Sequence, residues 1–455
     1  MKAYTDKMLE KELDGDVIIS SKKEPVKIAP LLSRLFPLKA TRYSIDTIYK
    51  ALKQKVQAKY HFSNEEWWAK WMKILSAPDF EEYLLGDEES KDEDDPEEQA
   101  SREAQTAKFL QALCSEILAS FPALAKYQHQ WTSYFHTKPV DTASGHKMPR
   151  KPDISCFKAY TPTGKWRHIN ELLTWKNLDT IIEDKKRRKT LRDFLKSVAT
   201  DLYNKVYLIY VYQEDRRFVI VLSFTGDLFR VSTMDRAGVI HSEAVSYLSE
   251  PKLFLHIIIG LTFSPDVYLG YDPNFISRPL GAQQLTIGGR RYTILATVWR
   301  QSMILGRATT CWRAMYNNEE YLIKDAWILE EQVPCEVYFL REAEGIDGVP
   351  ILFDWENVMV NKRLDSTDHN RGVYRPLLNR IHRRLVFKTV GVPIWEFLNR
   401  DELIDAYIDC LVCEYIPLLL LVELKQIDVI YRPREAIQEP KDPTLRHQLV
   451  QYNDS

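Results

Sequence analysis

Lys185-Lys-Arg-Arg-Lys189 is the one strong basic cluster in the sequence. Lys185, Lys186, Arg187, Arg188 and Lys189 suit a nucleic-acid backbone, and the same run reads equally as a nuclear address or as the solvated start of a helix. Cys410 and Cys413 form the one close cysteine pair, and neither a second pair nor a histidine cluster accompanies them at zinc spacing. His168, His241 and His256 stand singly, as core or surface histidines do. Six scattered cysteines argue against a disulfide scaffold.

At 455 residues the chain exceeds a single core and predicts two domains. Its 62 basic and 64 acidic residues leave a net charge of -2, so no global field draws it to nucleic acid or to an anionic membrane. A 45% hydrophobic content excludes disorder throughout. The apolar runs 253–263 and 416–422 are shorter than the ~18 residues of a membrane span. Residues Met1 to Asp16 alternate charges, which fits neither a signal peptide nor an anchor. The expectation is a soluble intracellular protein, cytoplasmic or nuclear, with no membrane partner.

The elements that must position any site follow from periodicity. Ser63 and Glu66 form a capping box ahead of a helix over 67–75, with Trp67, Trp68, Trp71, Ile74 and Leu75 on helical spacing. Residues 87–98 carry nine acids and one lysine and read as a solvated loop. Phe109, Leu110, Leu113, Ile117 and Leu118 predict an amphipathic helix over 101–120. Strands are expected at 153–160 and 166–176, then a charged helix over 178–203 and an apolar strand at 206–212. Strands at 218–224 and 228–234 follow, then a helix near 243–261. Gly288-Gly289, between two apolar-alternating segments, predicts a two-residue hairpin that opens a second sheet. Further strands are expected around 306–310 and at 321–325, and a helix from Arg400 to about Cys413. The run from Ile416 to Val422 is apolar and must fold back on the second sheet or leave a sticky patch.

Several blocks occur in a specific order. Arg216-Arg-Phe-Val, Met234-Asp-Arg-Ala-Gly-Val and Leu269-Gly-Tyr-Asp-Pro resemble the region ahead of the kinase core in the fungal-type protein kinase family. Gly306-Arg-Ala-Thr-Thr-Cys-Trp resembles its phosphate loop and Tyr321-Leu-Ile-Lys-Asp-Ala-Trp its lysine strand. Gly345-Ile-Asp-Gly-Val-Pro and Gly391-Val-Pro-Ile-Trp-Glu-Phe continue the likeness, which spans about 152–411. The resemblance implies ATP and Mg²⁺ as ligands, with Gly306, Ala308, Lys324 and Glu336 as nucleotide-binding residues and Glu342 as the rival partner of Lys324. Weak engagement is expected, since Ala308 stands where the pattern has its second glycine. The catalytic loop and the metal-binding Asp-Phe-Gly are not found. His382-Arg-Arg lacks the aspartate, and Asn399-Arg-Asp401 has Ala406 where an asparagine would stand.

Upstream, the expected order of helix, strand, strand, helix and strand resembles the PD-(D/E)XK nuclease core. Pro152-Asp153 matches its first element and Lys176 its lysine, but Thr174 holds the acidic position. Asp153, Thr174 and Lys176 then form a degenerate Mg²⁺ site, with Glu116 as an auxiliary carboxylate. The expected fold is α+β: a helix-flanked mixed sheet of PD-(D/E)XK type followed by a protein-kinase-like N-lobe sheet. Residues 1–100 form a helical extension with an acidic loop at 86–98, 101–280 the nuclease-like module, 281–412 a partial kinase-like domain and 413–455 an atypical tail. Three functions are open: a catalytically incomplete kinase relative (a pseudokinase) that binds or regulates a protein partner, an active serine/threonine kinase using ATP, or a Mg²⁺-dependent nuclease or nucleic-acid-binding protein.

Overall fold

The computed structural model describes residues 25–63, 66–75, 96–134, 150–158, 174–185, 198, 200–276, 283–332, 335–346, 349–371, 378–388, 390–391 and 397–405. The fold is a mixed α+β arrangement of one helix-flanked mixed sheet and one curled antiparallel half-barrel. The chain divides into two units, 1–273 with 301–308 and 359–381, and 274–300 with 309–358 and 382–455. The expected domain boundary at 280/281 lies outside the described residues.

In the first unit, helices α1 (Ile28–Leu35), α2 (Ile45–Tyr60), α3 (Trp67–Leu75) and α4 (Pro96–Ser120) precede the sheet. Its strands are β1 (Gln130–Thr132), β2 (Ile154–Phe157) and β3 (Leu178–Lys185), then, after helix α5 (Thr200–Tyr212), β4 (Phe218–Thr225), β5 (Leu228–Asp235), β6 (Gly238–His241) and β7 (Val245–Ser246). They lie in the order β1-β2-β3-β4-β5-β6, with β7 also paired to β5. Only the β3–β4 pair among them is parallel, which is why a helical crossover, α5, joins those two strands. Helix α6 (Pro251–Phe263) follows. One face of the sheet, through Ile154, Cys156, Ile182, Ile220 and Leu222, shares a core with α1 to α4 and α6. The other face, through Phe157, Ile181, Val219 and Val221, shares a core with α5. With both faces covered, all eight residues of β4 are buried.

Several sequence expectations are corrected here. Residues 178–185, expected to start a charged helix, form β3. Residues 206–212, expected as a strand, lie in α5. The run Val206-Tyr-Leu-Ile-Tyr-Val is buried on all sides of that helix, so it shows no polar stripe, and a short continuous apolar run cannot be assigned by period alone. The strand expected at 166–176 ends instead in a single helical turn, Trp175–Asn177, and 159–173 lie outside the described residues. Helix α4 starts at Pro96, so 96–98 are helical, and the rest of the acidic segment lies outside the described residues. Trp67, Trp68 and Trp71 are core as expected, whereas Ile74 is exposed.

The second unit holds β8 (Phe275–Ile276), β9 (Gln284–Ile287), β10 (Arg290–Arg300), β11 (Thr310–Tyr316), β12 (Glu319–Leu329), helix α7 (Cys335–Glu342) and β13 (Leu352–Asn357). Its last strand follows a small hairpin of β14 (Met359–Val360) and β15 (Arg363–Leu364) and is β16 (Arg380–Phe387). The order is β13-β16-β12-β11-β10-β9-β8. Gly288 and Gly289, with φ of +54° and +79°, form the expected two-residue turn, and Ile287 pairs with Arg290 across it.

Candidate functional site

Lys324 projects from β12 opposite Cys311 of β11, on the face where Leu322 and Cys311 meet Val337 and Leu340 of α7. Its side chain is 5% exposed, and a buried ammonium requires a partner. Glu336, on the first turn of α7, supplies it as an ion pair through Oε1. Glu342 is exposed at the far end of the helix. The structure therefore brings Lys324 and Glu336 together. The next residue, Asp325, points to the opposite face. His382 Nε2 and Arg384 Nε each lie 2.8 Å from its Oδ1, and His382 stacks on Trp327 at 4.6 Å. Burial works to raise the Asp325 carboxyl, but His382 and Arg384 outweigh it and hold it below the usual carboxylate range.

Gly306 and Ala308 fall in the first unit, and Lys324 and Glu336 in the second. The Gly306 N–H donates to the Arg236 carbonyl at 2.9 Å, Arg236 Nη1 donates to the Met303 carbonyl at 2.5 Å, and Ile304 and Leu305 are buried in the α5 core. Ala308 adopts φ +44°, a left-handed conformation that glycine holds at less cost.

The blocks around 216, 235 and 270 converge on one buried network. Arg216 donates to the Asp179 carbonyl and lies 4.1 Å over the Tyr271 ring. Asp179 in turn accepts from Tyr271 Oη at 2.9 Å and lies 2.7 Å from His129 Nδ1. Arg217 donates to Asp365 Oδ1 at 2.7 Å and to the Val267 carbonyl at 2.8 Å. Arg371 binds both carboxylate oxygens of Asp235. These residues hold 301–308 and 359–381 in the first unit.

Asp215 lies beside this network. Burial raises its carboxyl from 3.8 to about 6, with Arg216 opposing the shift and Asp272 and Asp266 adding to it. A carboxyl whose folded pKa is raised destabilises the fold as pH climbs through the interval between those values, because the unfolded chain ionises first. Asp215→Asn is therefore expected to match wild type near pH 4 and to gain at most about 3 kcal/mol by pH 8. Urea midpoints across that range check it, and equal midpoints at pH 8 would contradict the assignment.

A second polar group lies on the α5 face of the first sheet. Asp153 precedes β2, and the register Ile154↔Ile182 sets Glu183 beside it. The Asp184 N–H donates to Asp153 Oδ2 at 2.8 Å, fixing that carboxylate. Lys205 of α5 ion-pairs with Glu183, and its Nζ lies 3.8 Å from Asp153 Oδ1. On the opposite face Asp184 accepts from Thr106 Oγ1 of α4 at 2.9 Å and pairs with Arg102.

Thr174 and Lys176 are not brought to this group. They lie at the turn before β3, at the end of the strand where Leu178 pairs with Phe157, whereas Asp153 is at the other end. The carboxylate beside Asp153 is Glu183. Glu116 ion-pairs instead with Lys55 at 2.7 Å on a half-exposed face, and Glu103 of the same helix is buried. The missed signal was the order Glu183-Asp184-Lys185 after Pro152-Asp153, hidden by the helical reading of 178–203. Lys185 ends β3, and Lys186 to Lys189, His168, Cys410 and Cys413 lie outside the described residues. His241 is buried, with Ser232 Oγ 2.7 Å from Nδ1 and Tyr203 Oη 3.0 Å from Nε2, and burial lowers it to about 3. His256 Nε2 lies 2.8 Å from the Phe36 carbonyl. Among the described residues no three or more His, Cys, Asp or Glu side chains are grouped to hold a metal.

Residues 151–376 match the model of the family described as Fungal protein kinase. The match starts where the resemblance starts and ends before Gly391-Val-Pro-Ile-Trp-Glu-Phe. No curated protein matches the chain. Among the described residues no helix is long and apolar enough to cross a membrane.

Proposed function

We propose, from the membership of residues 151–376 in the fungal protein kinase family, that the chain engages the phosphates of an ATP-type nucleotide at Lys324 and serves a protein partner as a binding or regulatory module. The Lys324–Glu336 ion pair carries this reading. A lysine that meets nucleotide phosphates must be held at one orientation, and Glu336 holds Lys324 through a partly desolvated contact. That fits one part of a nucleotide site. Mg²⁺, when bound with ATP, neutralises phosphate charge. Phosphoryl transfer also needs a base and metal ligands, and the 455 residues contain neither an Asp-Phe-Gly nor a His-Arg-Asp.

The expected result is a melting temperature that rises with MgATP in wild type and stays flat in Lys324→Ala. At ten times the dissociation constant the gain is about 1.4 kcal/mol. No labelled phosphate should pass to protein above the Lys324→Met background. A flat wild-type response at millimolar MgATP would remove the nucleotide reading, and Lys324-dependent labelling would replace it with an active kinase.

A second reading is favoured by the Asp153–Glu183 pair: a PD-(D/E)XK-like module hydrolysing phosphodiesters with Mg²⁺. Two adjacent buried carboxylates suit a hard cation, and the burial of Glu183 beside Asp153 supports this reading. Bound there, Mg²⁺ would activate water for attack. Plasmid DNA and RNA incubated with Mg²⁺ or Mn²⁺ should be cut by wild type, with at least a hundredfold loss in Asp153→Asn and Glu183→Gln. Absence of metal-dependent cutting by wild type would reject this reading.

A further inference from the structure

In the second unit, the C-terminal end of α7 and the strand β13 enclose a cavity of about 180 Å³. Leu340 on the helix and Val349, Leu352 and Trp355 on the strand side form its inner wall, which continues into the core around Leu322 and Leu385. Its mouth is bare. Ile346 and Ile351 are 43% and 49% exposed there, and two isoleucines at the lip of a cavity lined by core are surface that calls for a cover. Strand β13 is the end strand of its sheet. The Val358 N–H donates to the His382 carbonyl at 2.8 Å, so by the alternation of an antiparallel pair the Trp355 N–H faces away from β16. Asp354 Oδ1 accepts it at 2.8 Å. With this edge capped by its own side chain, a neighbour meets it through side chains and not as an added strand.

Charge narrows the choice of cover. Arg341 lies 5.9 Å from the centre of the Trp355 ring and Lys388 lies 5.4 Å from that of Phe353, and both cations are exposed with no ion pair among the described residues. Of the acids that line the cavity, Asp354 is paired with Arg290 and Glu344 stays exposed. An apolar wall beside two open cations fits an apolar segment that ends in a carboxylate. The chain itself supplies one. The Lys388 N–H donates to the Ile351 carbonyl at 3.0 Å, so the chain leaves β16 at the mouth of the cavity, and residues 382–455 belong to the second unit. From 388 to 416 it has 28 residues, which extend to roughly 90 Å, ample for a return. Ile416-Pro-Leu-Leu-Leu-Leu-Val422, outside the described residues, carries no charge and is bracketed by Glu414 and Glu423.

We infer that residues 416–422 dock in the α7–β13 cavity as an internal ligand, one leucine filling it and the rest of the run covering Ile346 and Ile351. A void of about 150 Å³ accepts a benzene ring, so this one has room for a leucine side chain. Whichever way the run lies, Glu414 or Glu423 arrives at Arg341 and Lys388. Pro417 removes a backbone donor, which costs nothing against an edge that is already capped. While the run is docked the cavity is closed to any other chain, so a protein that uses this face must first displace it. The inference stands apart from the nucleotide and phosphodiester readings and survives the failure of either.

The test is amide hydrogen exchange of the full chain read by mass spectrometry, with a free peptide of residues 410–426 as the unprotected reference. Wild type, Ile351→Lys, and Leu418→Lys with Leu420→Lys are compared. In wild type the amides of 416–422 are expected to exchange at least tenfold more slowly than in the peptide. Ile351→Lys should return them to within about twofold of the peptide rate. The tail variant should do the same, and should also speed exchange at 346–352 at least threefold while leaving β10 to β12 unchanged. Peptide-like exchange in wild type, or protection that Ile351→Lys does not remove, overturns the proposal. Protection that fades on dilution, with a dimer seen by light scattering, also overturns it, because the cavity then belongs to a second copy of the chain.

Discussion

Gly270→Ala should destabilise the chain by roughly 3–5 kcal/mol, among the largest losses a single methyl group can cause. Gly270 adopts φ +100°, where an L side chain is strained, and a β-carbon there would lie 2.0 Å from the Phe218 carbonyl oxygen. That oxygen cannot yield cheaply. Phe218 begins β4 and pairs with Asp235 of β5, while the Arg217 N–H donates to the Gly270 carbonyl at 2.8 Å, so both strands of backbone at the contact are already pinned. Strain at the dihedral contributes about 1–3 kcal/mol and the forced backbone shift a similar amount. Urea denaturation with an unchanged slope should show the loss as a lower midpoint. A loss under about 1 kcal/mol would mean that the 266–272 turn yields more readily than its hydrogen bonds imply.

Arg371→Ala is expected to cost about 3–5 kcal/mol, because it strips the bidentate partner from a buried carboxylate. Arg371 is fully buried, its Nε lies 2.9 Å from Asp235 Oδ2, and Asp235 is only 3% exposed. Asp235 retains the Ala237 N–H at 2.9 Å, which cannot neutralise it. Arg371→Met combined with Asp235→Leu should regain much of the stability, since a well-packed apolar pair replaces buried ions at little net cost. A double-mutant cycle measures the coupling. If the double variant is as unstable as Arg371→Ala, packing around 359–381 and not charge is responsible.

These two positions show how unevenly the sequence can be read. The Gly288-Gly289 turn was legible because two positive φ values in succession leave few residue choices, and the burial of Trp67, Trp68 and Trp71 because helical spacing announces a core face. Lys324 and Glu336 were legible only as a resemblance. Nothing local to β12 distinguishes a lysine that turns inward from one that stays wet. The region 178–212 was misread for a physical reason. Strand β3 buries Asp179, Glu183 and Asp184 against partners distant in sequence, so it looks like a solvated helix, while α5 is covered all round and looks like a strand. Exchanging the two elements moved the candidate carboxylate from Glu183 to Thr174 and hid Lys205 altogether. Gly270 stood inside a recognisable block and Arg371 in none, but the purpose of each depends on Phe218 and Asp235, and no spacing rule reveals such pairs.

The placement of 301–308 and 359–381 in the first unit bears on how the chain is made. Asp235 leaves the ribosome 136 residues ahead of Arg371, the group that neutralises it. During that interval β8 to β13 are synthesised, so a first unit that closed at this stage would bury Asp235 without Arg371 and leave the places of Ile304 and Leu305 unfilled for part of the wait. At ≈ 5–20 residues per second the wait is on the order of ten seconds, long against the collapse of a small chain. The units cannot mature strictly one after the other, and the half-built first sheet is the stage at which a chaperone holding apolar surface would have most to protect.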